Sequence, residues 1–409
     1  MKIAILKERR PNESRVAASA ETIKKFVQLG VAVSIEKGAG QGAGISDSDF
    51  NDAGASIAMS ASAALDGAEI VLKVQRPMIP GEKQDELSAF SRGQSLVCQM
   101  NALTEEAFVT AMADAGVNGF AMELMPRISR AQSMDVVSSQ SNLSGYKAVL
   151  DAAAEFGRAF PMMMTAAGTV PPARVLVMGA GVAGLQAIAT ARRLGAVVSA
   201  ADVRPATKEQ VESLGATFIA VQDEEFEQAQ TAGGYAKEMS AKYNEKQATL
   251  IAETIAKQDV VICTALIPGR PAPKLIDAKM IASMKQGSVI VDLAVEAGGN
   301  CALSQSGKVV VKEGVKIIGY ANIASRLATD ASRLFAKNLL NFLTPLIDTK
   351  SGTFNIDMED ETVSGTLVTR DGKIVHPMLI KSSSLSTGPV PTVDDAPRET
   401  EPKPAATAD

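Results

Sequence analysis

Residues 174–184 read Arg-Val-Leu-Val-Met-Gly-Ala-Gly-Val-Ala-Gly, an apolar run that passes directly into G-x-G-x-x-G at Gly179, Gly181 and Gly184. In such a turn the first glycine makes the tight bend, the second lets the backbone approach a pyrophosphate, and the third allows helix and strand to pack closely. Ala180 lies inside the turn, and a helix opening at Val182 offers free N–H groups to an anion. The context strengthens the glycines: a strand precedes them, a helix runs to Leu194 with Gly195 after it, and the strand Val197–Ala201 ends at Asp202, 18 residues beyond Gly184. The chemistry is dinucleotide binding. Asp202 would accept hydrogen bonds from the adenosine ribose and repel a 2′-phosphate, where a like-charge contact at about 4 Å costs on the order of 1–4 kcal/mol. This favours NAD(H). Val203 and Arg204 follow, and we read Arg204 as a charge that pairs locally rather than as a 2′-phosphate ligand. Thr264, Ala265 and Leu266, after the fourth strand of this series, and Asp292, closing the fifth, sit where loops at carboxyl strand ends line the crevice of an open sheet.

A second cluster precedes this one. Residues 122–135 bring together Arg127, Ile128, Ser129, Arg130, Gln132 and Asp135, with Ser138 close behind. A Gln amide both donates and accepts, which suits a nicotinamide carboxamide, and an Arg–Asp pair can hold a loop in shape. By composition the run fits the polar start of a helix equally well. Residues 231–239 place Gly233-Gly234 beside Tyr235 in a long polar stretch, which reads as a lid or, on physics alone, as a surface loop. Other chemistries are scarce. The single histidine, His376, excludes His-based metal clusters and Ser-His-Asp triads, and Cys98, Cys263 and Cys301 lack the spacing of a zinc site or a disulfide framework. They read as reduced core thiols, and no metal is expected.

The elements that must position these residues alternate. Lys2–Leu6, Val31–Ile35, Ile70–Val74, Leu96–Met100 and Gly119–Met122 read as strands, with helices from Ser19 to Leu29 and Thr104 to Ala115. A second series places strands at Val175–Met178, Val197–Ala201, Phe218–Val221, Val260–Thr264 and Val289–Leu293, extended by Val309–Val311 and Val315–Ile318. The helix Ala331–Phe342 then carries the chain back to the first unit. Thr362–Val368 and Lys373–Val375 flank Arg370-Asp371-Gly372, a strong hairpin signal that we assign to the first unit. The expected architecture is α/β, two doubly wound units with parallel sheets: 1–138 plus 325–380 as the first, 139–324 as the dinucleotide-binding second. The first lacks a phosphate-binding glycine motif. The Pro- and Ser-rich residues 381–409 carry too few large apolar groups to fold and read as a tail.

Composition bounds the partners. With 46% apolar residues the 409-residue chain can fill two cores, and 41 Lys+Arg against 46 Asp+Glu leave a net charge near −5. Nucleic acid and anionic membrane surfaces are therefore not expected partners. The longest uncharged stretch, Val175–Ala191, has 17 residues including three glycines, too short and polar to span a bilayer. The N-terminus shows no secretory signal, so a cytoplasmic location is expected.

Together, residues 160–204, 122–135, 231–239 and the run Val291-Asp292-Leu293-Ala294-Val295-Glu296-Ala297-Gly298-Gly299-Asn300 closely resemble the NAD(H)-binding component, domain I, of proton-translocating NAD(P) transhydrogenases, a similarity that spans roughly residues 1–378. The resemblance implies two Rossmann-like domains in a soluble homodimer, peripheral on the cytoplasmic face of the inner membrane. There it would dock onto a membrane subunit and an NADP(H)-binding component. It implies hydride transfer between NADH here and NADP+ on that partner, coupled to proton translocation. It further implies that Arg127, Gln132, Asp135 and Ser138 face the nicotinamide and its ribose, that Asp202 holds the adenosine ribose, and that Tyr235 rides a mobile loop beside Gly234. Alanine dehydrogenase is the alternative. That family is similar at Lys7-Glu8 through Arg15-Val16-Ala17 and holds pyruvate with an arginine and a lysine matched by Arg15 and Lys73. Its catalytic histidine corresponds to the stretch containing Gln99 here, and a glutamine cannot exchange a proton at neutral pH.

Overall fold

The computed structural model describes residues 1–228 and 239–380. The first sheet takes strands β1 (Lys2–Ile5), β2 (Ala32–Glu36), β3 (Ser56–Ala58), β4 (Ile70–Gln75), β5 (Ser95–Gln99) and β6 (Asn118–Ala121). A small hairpin, β7 (Met163–Thr165) and β8 (Gly168–Val170), precedes the second sheet. That sheet is built from β9 (Arg174–Met178), β10 (Val197–Ala201), β11 (Thr217–Phe218), β12 (Val260–Cys263), β13 (Val289–Asp292), β14 (Lys308–Lys312) and β15 (Val315–Gly319). A two-strand pair, β16 (Ile347–Asp348) and β17 (Thr353–Phe354), and the hairpin β18 (Leu367–Arg370) and β19 (Lys373–Ile374) close the series.

Both sheets wind outward from their first strand. The order is β19-β18-β6-β5-β4-β1-β2-β3 in one and β11-β10-β9-β12-β13-β15-β14 in the other. Strand order therefore reverses between β1 and β4 in the first sheet and between β9 and β12 in the second, and such reversal points open a crevice at the carboxyl ends of the strands. Pairing is parallel except at the edges, where β18 runs antiparallel to β6 and β14 to β15. The hairpin joins the first sheet as its sequence implied: Asp371 and Gly372 both take positive φ, 51° and 81°, as a two-residue type I′ turn requires. Thr362, expected in a strand, lies instead in the helical turn Glu361–Ser364, because Asp360 caps it by accepting from the Thr362 N–H. The strand expected over Phe218–Val221 is only two residues long; beyond it the Val221 N–H turns to the Gln247 side chain rather than to a neighbouring strand.

Apolar strands buried on both faces call for two cores per sheet. Ile3, Ile5, Val33, Ile70 and Leu72 face one way with Phe120, while Ala4, Val71, Leu96 and Cys98 face the other. The helix Ala328–Leu343 puts Phe335, Leu339 and Phe342 into the first of these cores, so the chain does return to the first sheet after completing the second. The 20-residue helix Val136–Glu155 joins the two units: Val136 lies in the first-sheet core, and Ala148, Val149 and Ala152 lie in a second-sheet core. Gly145 lets this helix touch the start of the helix Val182–Arg193, since a Cβ there would collide with the Ala183 carbonyl. Cys98, Cys263 and Cys301 are buried free thiols, as expected; burial pushes the Cys98 and Cys263 thiols well above their ordinary range. Among the described residues no helix is long and apolar enough to cross a membrane and no group of His, Cys, Asp and Glu could hold a metal ion.

Candidate functional site

The three glycines of the turn after β9 do different physical work. Gly179 has φ +101°, and a Cβ there would lie 2.7 Å from the Thr264 hydroxyl. At Gly184 a Cβ would run into the Gly179 carbonyl oxygen, so only glycine lets the helix sit this close to the strand. Gly181 is the contrast: a Cβ there would meet nothing, and the residue is exposed. It caps the helix Val182–Arg193 without a side-chain hydrogen bond, leaving first-turn N–H groups for an anion.

Around this helix terminus the neighbouring strand ends contribute an acidic group and an apolar rim. Asp202 follows β10 and is nearly buried at its carboxylate. Its Oδ2 accepts the Ala180 N–H at 2.7 Å, which ties the glycine turn to the next strand. Arg204 donates its backbone N–H and Nε to Oδ1, each at 2.9 Å, and Nη2 to Oδ2 at 2.8 Å. The local pairing expected for Arg204 is therefore present. After β12, Thr264 donates its hydroxyl to the Gly179 carbonyl at 2.9 Å, and Leu266 is 55% exposed. With Val182 at 43% and Val203 at 47%, three large apolar side chains from adjacent strand ends stand in solvent. Exposed apolar groups around an anion-binding helix terminus suit a flat ring system with a phosphate tail. The residues present thus fit an adenine dinucleotide.

Two buried side chains support the site from behind. Asn300, fully buried, accepts the Ala265 N–H at 3.1 Å and donates to the Ala265 and Pro273 carbonyls, which clamps the loop carrying Leu266. Asp292, read as lining the crevice, is instead buried and accepts from the Ala294, Asn300 and Cys301 N–H groups and the Ser304 hydroxyl. A carboxylate with four donors is satisfied internally, so it shapes the turn rather than facing a ligand. The only sequence signal for this is an acid followed by Gly298-Gly299-Asn300, the glycines adopting φ of +95° and +80°.

At the domain junction, Asp135 caps the helix Val136–Glu155, accepting from the Ser138 N–H at 2.9 Å and its hydroxyl at 2.5 Å. Arg127, Ser129 and Gln132 are exposed and Ile128 is half-buried on the short 3₁₀ approach to this cap. An Arg–Asp pair that holds the loop is Arg130 with Asp360; both terminal guanidinium nitrogens reach the carboxylate, at 3.1 and 2.5 Å. That contact spans 230 residues, which no local pattern can show. Gly234 and Tyr235 lie outside the described residues.

The corresponding crevice of the first sheet is lined by paired charges. A cavity of about 250 Å³ is lined by Glu8, Glu13 and Arg15 together with the Gly38–Gly42 loop. Arg15 is bound by Glu13, with Nη2 at 2.6 Å, by the Gln140 side-chain oxygen at 2.8 Å and by Asn322 at 3.1 Å. Lys73 lies between Glu86 at 3.2 Å and Glu8 at 3.4 Å and is 1% exposed. Burial pushes the Glu8 carboxyl up to about 7, whereas at Glu13 the opposing Arg15 hydrogen bonds outweigh burial and bring it down to about 2. Gln99, half-buried at the end of β5, supplies no titratable group. The sole histidine, His376, sits against the Gly365 carbonyl at 3.2 Å, far along the first sheet's edge, with its pKa lowered by burial.

Residues 4–144 match the alanine dehydrogenase/PNT N-terminal domain and residues 148–377 the alanine dehydrogenase/PNT C-terminal domain. The chain belongs to the alanine dehydrogenase/PNT family. Within it, the chain is 63% identical over 379 residues to the first part of the NAD(P) transhydrogenase alpha subunit of Rhodospirillum rubrum, covering 93% of this chain and 99% of that one. It is similar to a crystal structure of a transhydrogenase from Sinorhizobium meliloti, with TM-score 0.83, 53% identity, and 92% and 100% of the two chains covered. An alanine dehydrogenase of Halomonas elongata is 28% identical across 92% of this chain and 95% of its own length. The family likeness therefore covers both sheets and is stronger on the transhydrogenase side.

Proposed function

We propose that this chain is the NAD(H)-binding subunit of a proton-translocating transhydrogenase, passing hydride between NADH held here and NADP+ held by a partner subunit. The carrying observation is the contrast at the two switch points: the second sheet offers an open helix terminus, an acid and an apolar rim, while the charges at the first are paired with one another around a cavity of about 250 Å³. Full-length similarity to a transhydrogenase subunit supports the same reading.

When bound, NADH supplies a hydride from its nicotinamide ring, a transfer that needs no proton shuttle and hence no histidine. The work of the chain is orientation. The N–H groups of the helix opening at Val182 receive the pyrophosphate, and Asp202 accepts from the adenosine ribose and discourages a 2′-phosphate. Gln132, whose amide can donate and accept, meets the carboxamide, and Arg127 with the Asp135–Ser138 cap fixes the ring and its ribose so that two rings can approach to about 3–3.5 Å. Ile128, Ser129, Val203, Thr264, Ala265 and Leu266 form the walls. No proton-conducting residue is assigned to this chain; coupling reaches it through a membrane subunit as a linkage between sites. A homodimer, peripheral on the cytoplasmic face of the inner membrane, completes the proposal.

The test is stopped-flow mixing of the chain and NADH with a nicotinamide acceptor, with and without the NADP(H)-binding component. Hydride transfer only with the partner is expected. Reduction of NAD+ by L-alanine with the chain alone would establish alanine dehydrogenase activity and overturn the proposal.

A further inference from the structure

We propose that Arg204 is an internal stand-in for the adenosine ribose: its guanidinium occupies the Asp202 carboxylate in the free protein and yields it to the ribose hydroxyls when the nucleotide docks, so that Arg204 sets how tightly adenine nucleotides are held. This rests on the reading of Asp202 as the ribose acceptor.

A carboxylate offers about four lone-pair positions, and all four at Asp202 are engaged. Ala180 N–H and Arg204 N–H are backbone donors fixed by the turns that carry them, at 2.7 and 2.9 Å. Arg204 Nε and Nη2, at 2.9 and 2.8 Å, are side-chain donors that can rotate away. An incoming ribose therefore finds no unused acceptor at Asp202 unless the guanidinium leaves. The exchange is chemically matched. A vicinal diol brings two O–H donors side by side, as the guanidinium fork brings two N–H donors, so the carboxylate keeps the same number of hydrogen bonds after the exchange. The burial fits the exchange: the Asp202 side chain is 6% exposed, while that of Arg204 is 30% exposed. The Arg204 pair keeps the acid from standing as a nearly buried charge alone. The consequence is a reduced apparent affinity, since binding must first open the Asp202–Arg204 pair.

Arg204→Lys tests this, because it keeps the positive charge and removes the fork. Calorimetric titrations of the full chain with NADH, AMP and 2′,3′-dideoxyadenosine 5′-monophosphate would be compared with wild type, alongside Asp202→Ala and the double variant. Affinity of Arg204→Lys for NADH and AMP should rise about three- to tenfold, with no rise for the dideoxy nucleotide, which has no hydroxyls to claim the carboxylate. In the Asp202→Ala background the lysine substitution should change nothing. Unchanged or weaker NADH binding by Arg204→Lys, or an equal gain for the dideoxy nucleotide, would overturn the stand-in role. If instead Asp202→Ala binds all three nucleotides as wild type does, the ribose reading itself fails, an outcome distinct from the first two.

Discussion

Two sheets of the same winding place opposite contents at their switch points. At the carboxyl ends of β9, β10 and β12 the chain leaves a helix terminus uncapped, an acid within reach and three apolar side chains in solvent. At the ends of β1 and β4 it packs Lys73 between Glu8 and Glu86 and Arg15 against Glu13, Gln140 and Asn322. Topology provides a crevice in each; side chains decide whether it stays open for a ligand or becomes part of the frame. The cations matched to substrate-holding residues in alanine dehydrogenase are here paired with neighbouring carboxylates.

If the first crevice is structural, removing its cation should unfold the protein rather than impair binding. Lys73→Met leaves Glu8 and Glu86 buried without their shared cation and should lower stability by about 3–5 kcal/mol in urea denaturation, with NADH affinity of the folded fraction within about twofold of wild type. Lost binding at full stability would erase the contrast. The next effect is a pH dependence. Glu8, at about 7 when folded against 4.5 as its ordinary value, binds more protons in the folded than in the unfolded chain across that interval, so stability falls as pH rises from 4.5 through 7. Glu8→Gln should flatten that fall by about 2–3 kcal/mol between pH 4.5 and 8, read from urea midpoints across the range. Identical slopes would show that Glu8 is not held in its proton-bound form. Glu13 works in the opposite sense: held at about 2, it contributes stability above its ordinary value that disappears as pH drops from 4.5 toward 2.

The open crevice should answer in binding and rate instead. Gln132→Asn should slow hydride transfer about 10- to 100-fold while NADH affinity changes less than about threefold, because ring placement is lost rather than anchorage; an unaltered single-turnover rate would take Gln132 out of the site. Smallest is Gly181→Ala. A Cβ there meets no protein atom, so the melting temperature should hold, while NADH affinity falls about tenfold if the backbone at Gly181 is where the pyrophosphate approaches. Wild-type affinity would move the phosphate elsewhere on the turn.

Much of the fold is legible locally. The alternation of apolar runs with capped helices marks both sheets, and Asp371-Gly372 marks the hairpin, since only residues tolerant of positive φ make that turn. The edge of β11 and the role of Thr362 escape such a reading, because a cap from Asp360 and a side-chain acceptor from Gln247 outweigh β propensity. The site divides the same way. The glycines and Asp202 announce themselves by spacing, whereas Asn300, Asp360 and Gln140 act across 35, 230 and 125 residues and carry no local mark.

What the sequence determined alone was the period of its strands and helices, the glycines that a close-packed turn demands, and the near absence of histidine, all properties of neighbours along the chain. Which charges would neutralise one another was settled only in three dimensions. Arg15 and Lys73, matched by resemblance to ligand-holding cations, are drawn into ion pairs because folding brings Glu13, Glu8 and Glu86 within about 3.5 Å of them, where a buried charge must find its opposite.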